Sequence, residues 1–389
     1  MKSLCQKTAL ILIGLTLVIG ATLISPALHE IGLAFPDADP ALLPLVVTLP
    51  SLTLVAGLAI SSALSSKISA RSLILLGLAL IVVGGIAPAF MSDLLLIIIM
   101  RGIVGVGMGI IVPLQMTLFA EYPERECATL IGCNSAVNCV ISVIFFAAAG
   151  RLALRDWQAI FYLYAVFLPI MLLTVLFIPK RPPFAPNARS ASGNRLPAKI
   201  FIYCGFVAGA MVTFYVIMTN MAFYLHDYQL GDAAVLGTLT AAGTAGSALG
   251  AFVMPAVDRL LKQHAVPINM AAMAAGFLLL TKTDTLLTVG AGYVLLFFCQ
   301  GIFGCLITFK FTQLVALEQV PAATSCYMTT VFVSQFLAPY LMLTLQKLPS
   351  LTSMHAVFTL YAAIMAAMTL LYLLIDRQET KRRLSEQTL

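Results

Sequence analysis

The chain has 389 residues, of which 61% are hydrophobic and only 10% charged, and its formal net charge at pH 7 is +6. Soluble globular domains carry roughly 25% charged residues, so this composition excludes an ordinary soluble protein and predicts an integral membrane protein. The eight cysteines contain no C-x-x-C pair and the four histidines do not cluster in the sequence. We therefore expect no disulfide framework, no metal site and no cofactor.

Twelve apolar stretches follow one another along the chain. A helix that crosses a bilayer needs about 20 apolar residues, and this length predicts spans at residues 7–28, 42–63, 72–91, 94–119, 128–150, 158–178, 199–225, 233–257, 265–281, 286–310, 322–345 and 354–375. Strands of a membrane barrel would alternate in polarity at every second residue, and the run 94–100 shows no alternation. The predicted fold class is an all-α membrane protein with twelve transmembrane helices.

The first span follows Met1, Lys2 and Ser3, an arrangement that also occurs in secretory signal peptides. Eleven further spans, and no convincing small-residue cleavage site, predict that it stays attached. With a cytoplasmic N-terminus, sixteen of the 22 Lys and Arg residues fall in inner loops, four in outer loops, and Arg101 and Lys310 within spans. This bias follows the positive-inside rule. It predicts that both termini are cytoplasmic, and it explains the net charge without nucleic-acid binding.

A stretch rich in Pro, Ser, Gly and Arg separates the sixth span from the seventh and predicts a linker. The predicted domains are an N-terminal six-helix bundle at 1–178, a cytoplasmic linker at 179–198, a C-terminal six-helix bundle at 199–375 and a cytoplasmic tail at 376–389. An internal repeat supports this division, because Arg101-Gly-Ile-Val-Gly105 is matched by Gln300-Gly-Ile-Phe-Gly304. Span four then corresponds to span ten, as expected for two parallel repeats.

Arg101 has aliphatic sequence on both sides within span four. Its guanidinium group keeps its charge, so inside a membrane it must face a protein interior or a water-filled cavity. At 3.6 residues per turn, Arg101 and Gln115 fall on one stripe of the helix. The sequence therefore predicts that both line a cavity wall, that Arg101 is needed for function, and that it contributes little to folding.

Polar side chains inside other spans extend the predicted substrate and proton pathway. Asn134 and Asn138 align on span five, where their amides either bind polar groups of a substrate or join neighbouring helices by hydrogen bonds. Lys310, near the inner end of span ten, either faces the cavity or extends to the cytoplasmic surface. The other candidate lining residues are Tyr215, Asn220, Gln300 and Gln335.

Candidates for proton coupling are found only at the ends of spans. None of the sixteen acidic residues falls convincingly at the midpoint of a span. His29, Glu30, His226 and Asp227 lie at the outer ends of spans one and seven and are the candidate proton-coupling residues. The alternative interpretation is that they are ordinary loop residues.

Several segments resemble the major facilitator superfamily. Arg101-Gly-Ile-Val-Gly-Val-Gly resembles the R-x-x-x-G signature of its fourth helix, especially in the drug:proton antiporter branch. Segment 122–126 resembles the loop that follows this helix, and segment 156–161 resembles the start of its sixth helix. The resemblance covers nearly the whole chain and implies two six-helix bundles.

The family's loop between helices two and three, G-x-L-x-D-R-x-G-R-R, aligns with Ser62 to Arg71. This segment keeps basic residues at Lys67 and Arg71 but has Ser66 where the family has an acid. The corresponding loop of the second half retains the pair as Asp258 and Arg259. By resemblance, Lys67, Arg71, Asp258 and Arg259 are the predicted gating positions.

The resemblance implies a monomeric secondary transporter of the bacterial inner membrane, not an enzyme, that exports small amphiphilic molecules in exchange for protons. Segment 144–150 lacks the glycine-proline pair of family antiporters, so an alternative is an importer or facilitator of a small organic anion. Arg101 and Lys310 would then pair with the anion. A receptor or enzyme of this architecture is a third alternative, but no catalytic dyad or sizeable soluble domain supports it.

Overall fold

The computed structural model describes residues 2–39, 41–180, 197–281, 285–315, 319–351 and 353–387. All regular secondary structure within these ranges is helical. The α-helices are α1 (Lys2–Ile13), α2 (Leu15–Thr22), α3 (Leu28–Ala34), α4 (Leu45–Ser65), α5 (Ala70–Ile86), α6 (Leu94–Ala120), α7 (Glu124–Ala153), α8 (Phe167–Phe177), α9 (Ala198–Asp227), α10 (Ala233–Leu261), α11 (Ala265–Thr281), α12 (Leu286–Leu314), α13 (Val320–Gln346) and α14 (Met354–Gln387). Shorter 3-10 segments occupy Ser25–Ala27, Ala87–Phe90, Trp157–Val166, Lys262–His264 and Pro349–Leu351.

The helices match the predicted spans. In the described part of the chain, eleven helical stretches are long and apolar enough to cross a membrane, and α11 is a shorter apolar helix of 17 residues. Large apolar side chains remain on their surfaces; Phe252 and Leu287, for example, are each 83% exposed. Such exposure is expected where the surrounding medium is lipid. The prediction of an all-α membrane protein with twelve transmembrane helices is confirmed.

Span one is broken, whereas the sequence predicts one helix at 7–28. It extends over Leu4–Ala34 and divides into α1, α2 and α3. Between α1 and α2, the amide of Gly14 bonds to the carbonyl of Ile11 at 3.1 Å, three residues back instead of four. Between α2 and α3, Pro26 has no N–H to continue the helix. Both breaks leave backbone carbonyls that need donors from elsewhere.

Span six begins as a 3-10 helix over Trp157–Val166 and continues as α8. Pro169 lies in the first turn of α8, where its missing N–H is tolerated, but it cannot bond the carbonyl four residues earlier. In 3-10 geometry, side chains three residues apart lie on one face. Phe161 and Tyr164 accordingly are both fully buried.

The chain divides into two units by its internal contacts. The first comprises Met1–Gly193 and Met218–Ala241, and in it α6 packs against both α4 and α5. Glycines allow α4 and α6 to approach closely, since a Cβ on Gly57 would lie 2.8 Å from the Cα of Gly109. A larger residue at either position would push the two helices apart.

The segment Met218–Ala241 belongs to this first unit and packs on its other helices. A Cβ on Gly150 of α7 would lie 2.8 Å from the Cα of Gly237 in α10, and the reverse distance is the same. The hydroxyl of Ser25 donates to the carbonyl of Met218. The ends of α9 and α10 that meet in the sequence therefore pack on the first six spans.

The second unit comprises Asn194–Ile217 and Ala242–Leu389, and in it α11 packs against α12 and α14. The side-chain amide of Asn269 in α11 donates to the carbonyl of Cys299 in α12 at 3.0 Å. Most of the predicted linker lies outside the described residues, and α14 continues beyond residue 375 to Gln387. The boundaries of the four predicted segments stay predictions.

Candidate functional site

Arg101 is the largest fully buried side chain of the described residues, with 0% of its surface exposed. Its Nε atom donates to the carbonyl of Val46 at 2.8 Å, and Nη1 donates to the hydroxyl of Tyr164 at 2.7 Å. Its Nη2 atom donates to the carbonyls of Gly20 at 2.7 Å and Ala21 at 3.3 Å. One side chain of span four thus connects spans one, two and six.

Helix breaks explain why these carbonyls are available. Val46 lies four residues before Pro50, which has no N–H to bond its carbonyl. Gly20 and Ala21 lie in the last turn of α2, where carbonyls lack intrahelical donors. The C-terminal end of a helix also carries partial negative charge and stabilises a nearby cation. The charge of Arg101 is therefore compensated by backbone dipoles without a carboxylate.

Tyr164 completes this arrangement and was missed by the sequence interpretation. Its hydroxyl accepts from Arg101 and lies 3.1 Å from the carbonyl of Gly20 and 3.2 Å from that of Ile19, so it donates back to α2. Two signals in the sequence point to these partners. One is a tyrosine within span six, and the other is Pro50 within span two, which implies a free carbonyl four residues earlier.

A second polar layer lies fourteen residues further along α6, about 21 Å at 1.5 Å per residue. The Nε2 atom of Gln115 donates to the carbonyl of Leu10 at 2.8 Å and to Oδ1 of Asn134 at 3.2 Å. The carbonyl of Leu10 is free because span one breaks at Gly14. A Cβ on Gly14 would lie 2.8 Å from Gln115 Nε2, so only glycine leaves room for this layer.

The structure buries both Arg101 and Gln115, and their predicted place on a cavity wall stays a prediction. Arg101 is fully buried and Gln115 is 4% exposed, and their donors bond to acceptors on spans one, two, five and six inside the protein. For Asn134, the structure shows the helix-joining alternative, since its amide oxygen accepts from Gln115. A role for these residues in the substrate pathway stays a prediction.

Asn134, Asn138 and Ser142 form a polar stripe along one face of α7, and two groups of this stripe are unpaired within the described part of the chain. The Oδ1 atom of Asn138 and the hydroxyl of Ser142 are buried and have no hydrogen-bond partner among the described residues. Ser142 itself is 1% exposed. Buried polar atoms are normally hydrogen-bonded, so this part of α7 has unused capacity for a ligand that donates hydrogen bonds.

The remaining candidate lining residues are divided between the two units. In the second unit, Nε2 of Gln300 lies 3.2 Å from the sulfur of Met211, and its Oε1 atom is buried without a partner among the described residues. Gln335 is buried, and Tyr215 and Lys310 are half-buried. Asn220 lies in the first unit and donates to the hydroxyl of Thr219 at 3.0 Å.

The four candidate proton-coupling residues come together in the first unit. His29 and Glu30 are half-buried on α3, and His226 and Asp227 are exposed at the end of α9. The two imidazole rings are in contact, with centroids 4.0 Å apart. Within the described residues, no group of three or more His, Cys, Asp or Glu side chains could hold a metal ion.

The four predicted gating positions are exposed or half-buried and form no ion pair with another described side chain. Lys67 and Arg259 are exposed, and Arg71 and Asp258 are half-buried. Lys7 and Glu126 form an ion pair and His226 lies beside Asp227, and among the described side chains none of the four gating positions takes part in either contact. Their gating role stays a prediction.

Comparisons with known proteins agree on one family and one fold. Residues 10–339 match the sequence model of the Major Facilitator Superfamily, whereas no curated protein matches the sequence significantly. A D-xylose-proton symporter has a similar structure, with a TM-score of 0.78, 13% identity, and coverage of 96% of this chain and 97% of its own. A bacterial homologue of the human lysosomal transporter Spinster, inward-facing and occupied, has a TM-score of 0.74, 13% identity, and coverage of 94% and 96%. The inward-open xylose transporter XylE from E. coli has a TM-score of 0.71, 14% identity, and coverage of 94% of each chain. At these identities the likeness shows the fold.

Proposed function

The chain belongs to the major facilitator superfamily, and on that premise we propose that it is a proton-coupled secondary transporter that exports small amphiphilic molecules. The proposal rests mainly on the state of Arg101. This cation is fully buried, and four of its five N–H donors are occupied by backbone carbonyls and by Tyr164. A cargo that needs no charge partner fits this arrangement best.

The organic-anion alternative loses its main support in the same geometry. An anion carrier needs a cation that is free to meet the substrate, and the guanidinium of Arg101 already donates four hydrogen bonds. Lys310, which is half-buried at the inner end of predicted span ten, is the other cation proposed to pair with an anion. Removing an arginine from its buried partners would leave several carbonyls unsatisfied.

The polar stripe on α7 supports a cargo with hydrogen-bond donors. Asn138 Oδ1 and the Ser142 hydroxyl are buried without partners among the described residues, and neither group carries a charge. A neutral or cationic amphiphile with an O–H or N–H group would satisfy them. Binding energy from such contacts is modest per hydrogen bond, which suits a transporter with loosely defined substrates.

We further propose that transport occurs by alternating access, in which the two predicted six-helix bundles rock about a central site. The proposed location is a bacterial inner membrane, with a monomer whose termini are both cytoplasmic. Proton coupling is consistent with the D-xylose-proton symporter of the same fold. Neither its sugar nor its direction of transport carries over to this chain.

Transport by purified protein in inside-out proteoliposomes tests the proposal. A pH gradient would be imposed, and uptake measured for a cationic dye, a neutral amphiphile, D-xylose and an aromatic carboxylate. We expect uptake of the dye or the neutral amphiphile that stops when an ionophore dissipates the gradient. Transport restricted to the carboxylate or to xylose, or independent of the gradient, would contradict the proposal.

A further inference from the structure

A cluster of titratable side chains lies where α3 meets the end of α9 in the first unit. His29 and Glu30 belong to α3, His226 and Asp227 to the end of α9, and Asp232 to the turn before α10. The rings of His29 and His226 are stacked, with centroids 4.0 Å apart and planes inclined by 31°. The Nδ1 atom of His226 lies 3.8 Å from the carboxylate of Asp227.

Two buried atoms of this cluster lack a hydrogen-bond partner among the described residues. They are Nε2 of His29 and Oε2 of Glu30. The edge of Phe223 closes another side of His29, with ring centroids 5.6 Å apart. Buried nitrogen and oxygen atoms are normally hydrogen-bonded, so the packed arrangement leaves these groups with unused capacity for a proton.

The electrostatic surroundings of the two histidines depend on whether α3 and the end of α9 are packed together or separated. Two imidazolium rings at 4.0 Å would repel each other, and Phe223 beside His29 screens this repulsion less than water would. If α3 and α9 separate, His29 reaches water, as His226 already does, and the two rings move apart while the carboxylates remain nearby. The two imidazole rings therefore bind more protons in the separated arrangement, and by thermodynamic linkage proton binding to these rings favours separation.

We propose that the His29–His226 pair, with Glu30, Asp227 and Asp232 around it, is the site that binds the coupling proton, and that proton uptake there separates α3 from α9. This inference rests on the proposed proton-coupled transport. Under the proposed orientation the pair lies on the outer side of the membrane. Protons from that side would then open the contact through which the end of α9 packs on span one.

The chain carries its own probe for this separation. Trp157 is the single tryptophan of the sequence, and its ring lies 5.7 Å from that of Phe35, the residue after α3. Fluorescence of the full-length protein in lipid nanodiscs would be recorded from pH 8 to 5 without substrate. We expect a sigmoidal change for wild type within the range where imidazoles titrate, about pH 5 to 8.

Substitutions assign this change to the cluster. His29→Gln and His226→Gln should each abolish it, whereas His264→Gln removes a histidine outside the cluster and should retain it. His226 is 61% exposed on its side chain, so His226→Gln keeps the test valid even where His29→Gln lowers the yield of folded protein. A transition that persists in His226→Gln, or one that wild type lacks, overturns the proposal.

A separate transport assay distinguishes failure of the proposed proton site from failure of the proposed function. Proton-driven uptake by wild-type proteoliposomes decides the proposed function, because it requires no knowledge of the proton site. Uptake by His226→Gln should lose its dependence on pH if the pair binds the coupling proton. Normal pH-dependent uptake by this variant overturns the proton site and leaves the proposed function standing.

Discussion

The Nε atom of Arg101 donates to the carbonyl of Val46 at 2.8 Å, the carbonyl that Pro50 leaves without a backbone donor four residues later. In an uninterrupted helix the amide of residue 50 would make this bond, but proline has no N–H. The arginine of span four replaces the missing donor of span two. Its two Nη2 bonds replace donors missing at the end of α2 and its Nη1 atom bonds to Tyr164, so its first role is to join helices.

Arg101→Ala should lower both the stability and the membrane abundance of the protein, contrary to the expectation from the sequence alone. The substitution leaves the carbonyl of Val46 buried without this donor, at about 1–3 kcal/mol, whereas the carbonyl of Gly20 keeps the Tyr164 hydroxyl at 3.1 Å. Thermal unfolding of the solubilised protein and its amount in the membrane fraction would measure the effect. Arg125→Ala, which removes an exposed arginine at the start of α7, is the matched control. Wild-type values for Arg101→Ala would rule out the structural role.

Pro50→Ala should reduce the dependence of stability on Arg101. Alanine supplies an N–H for the carbonyl of Val46, so Arg101→Gln would then leave one acceptor fewer without a donor. A double-mutant cycle should give a coupling of about 0.5–1.5 kcal/mol, measured by denaturant unfolding. Pro339 also lies inside a helix, α13, but in the second unit. The effects of Pro339→Ala and Arg101→Gln should add, and an additive result for Pro50→Ala would contradict the assigned hydrogen bond.

Asn134→Ala and Asn138→Ala should have different effects although both remove an amide from α7. Asn134 accepts from Gln115, so its loss should destabilise the protein by about 0.5–1.5 kcal/mol. Asn138 Oδ1 has no partner among the described residues, so Asn138→Ala should leave stability unchanged and weaken substrate binding. The loss of one hydrogen bond to substrate corresponds to roughly a 2- to 10-fold higher KM. The opposite assignment of the two effects would show that Asn138 does not meet the cargo.

Gly150→Ala should separate α7 from α10 at their point of closest approach. A Cβ on Gly150 would lie 2.8 Å from the Cα of Gly237, which is too close for two carbon atoms. Spin labels at Leu154 and Thr238, both exposed, should report a longer distance between the two helices. Membrane abundance should stay normal, because we expect this contact to open during transport. Gly205→Ala is the control, since nothing lies within 4 Å of a Cβ there. Lower abundance at an unchanged distance would mean that the contact is permanent packing.

The sequence by itself determined the class of protein and the number of spans. A bilayer offers no hydrogen bonds to the backbone, so each crossing must be a helix of about 20 apolar residues, and twelve such runs are visible in the sequence. It also showed that Arg101 needs partners inside the protein. The helical period placed Gln115 on the same face as Arg101, and in the structure both side chains do bond to span one.

Only the tertiary structure decided which groups accept the hydrogen bonds of Arg101 and Gln115. The partners are carbonyls of other spans, and a carbonyl becomes available only where its own helix is interrupted, as by Pro50 or at Gly14. Whether such an interruption lies at the depth of Arg101 or Gln115 depends on how the spans pack, which hydrophobic length and period do not specify. For the same reason the sequence could propose His29 and His226 separately, but their contact at 4.0 Å exists only because α3 and α9 meet.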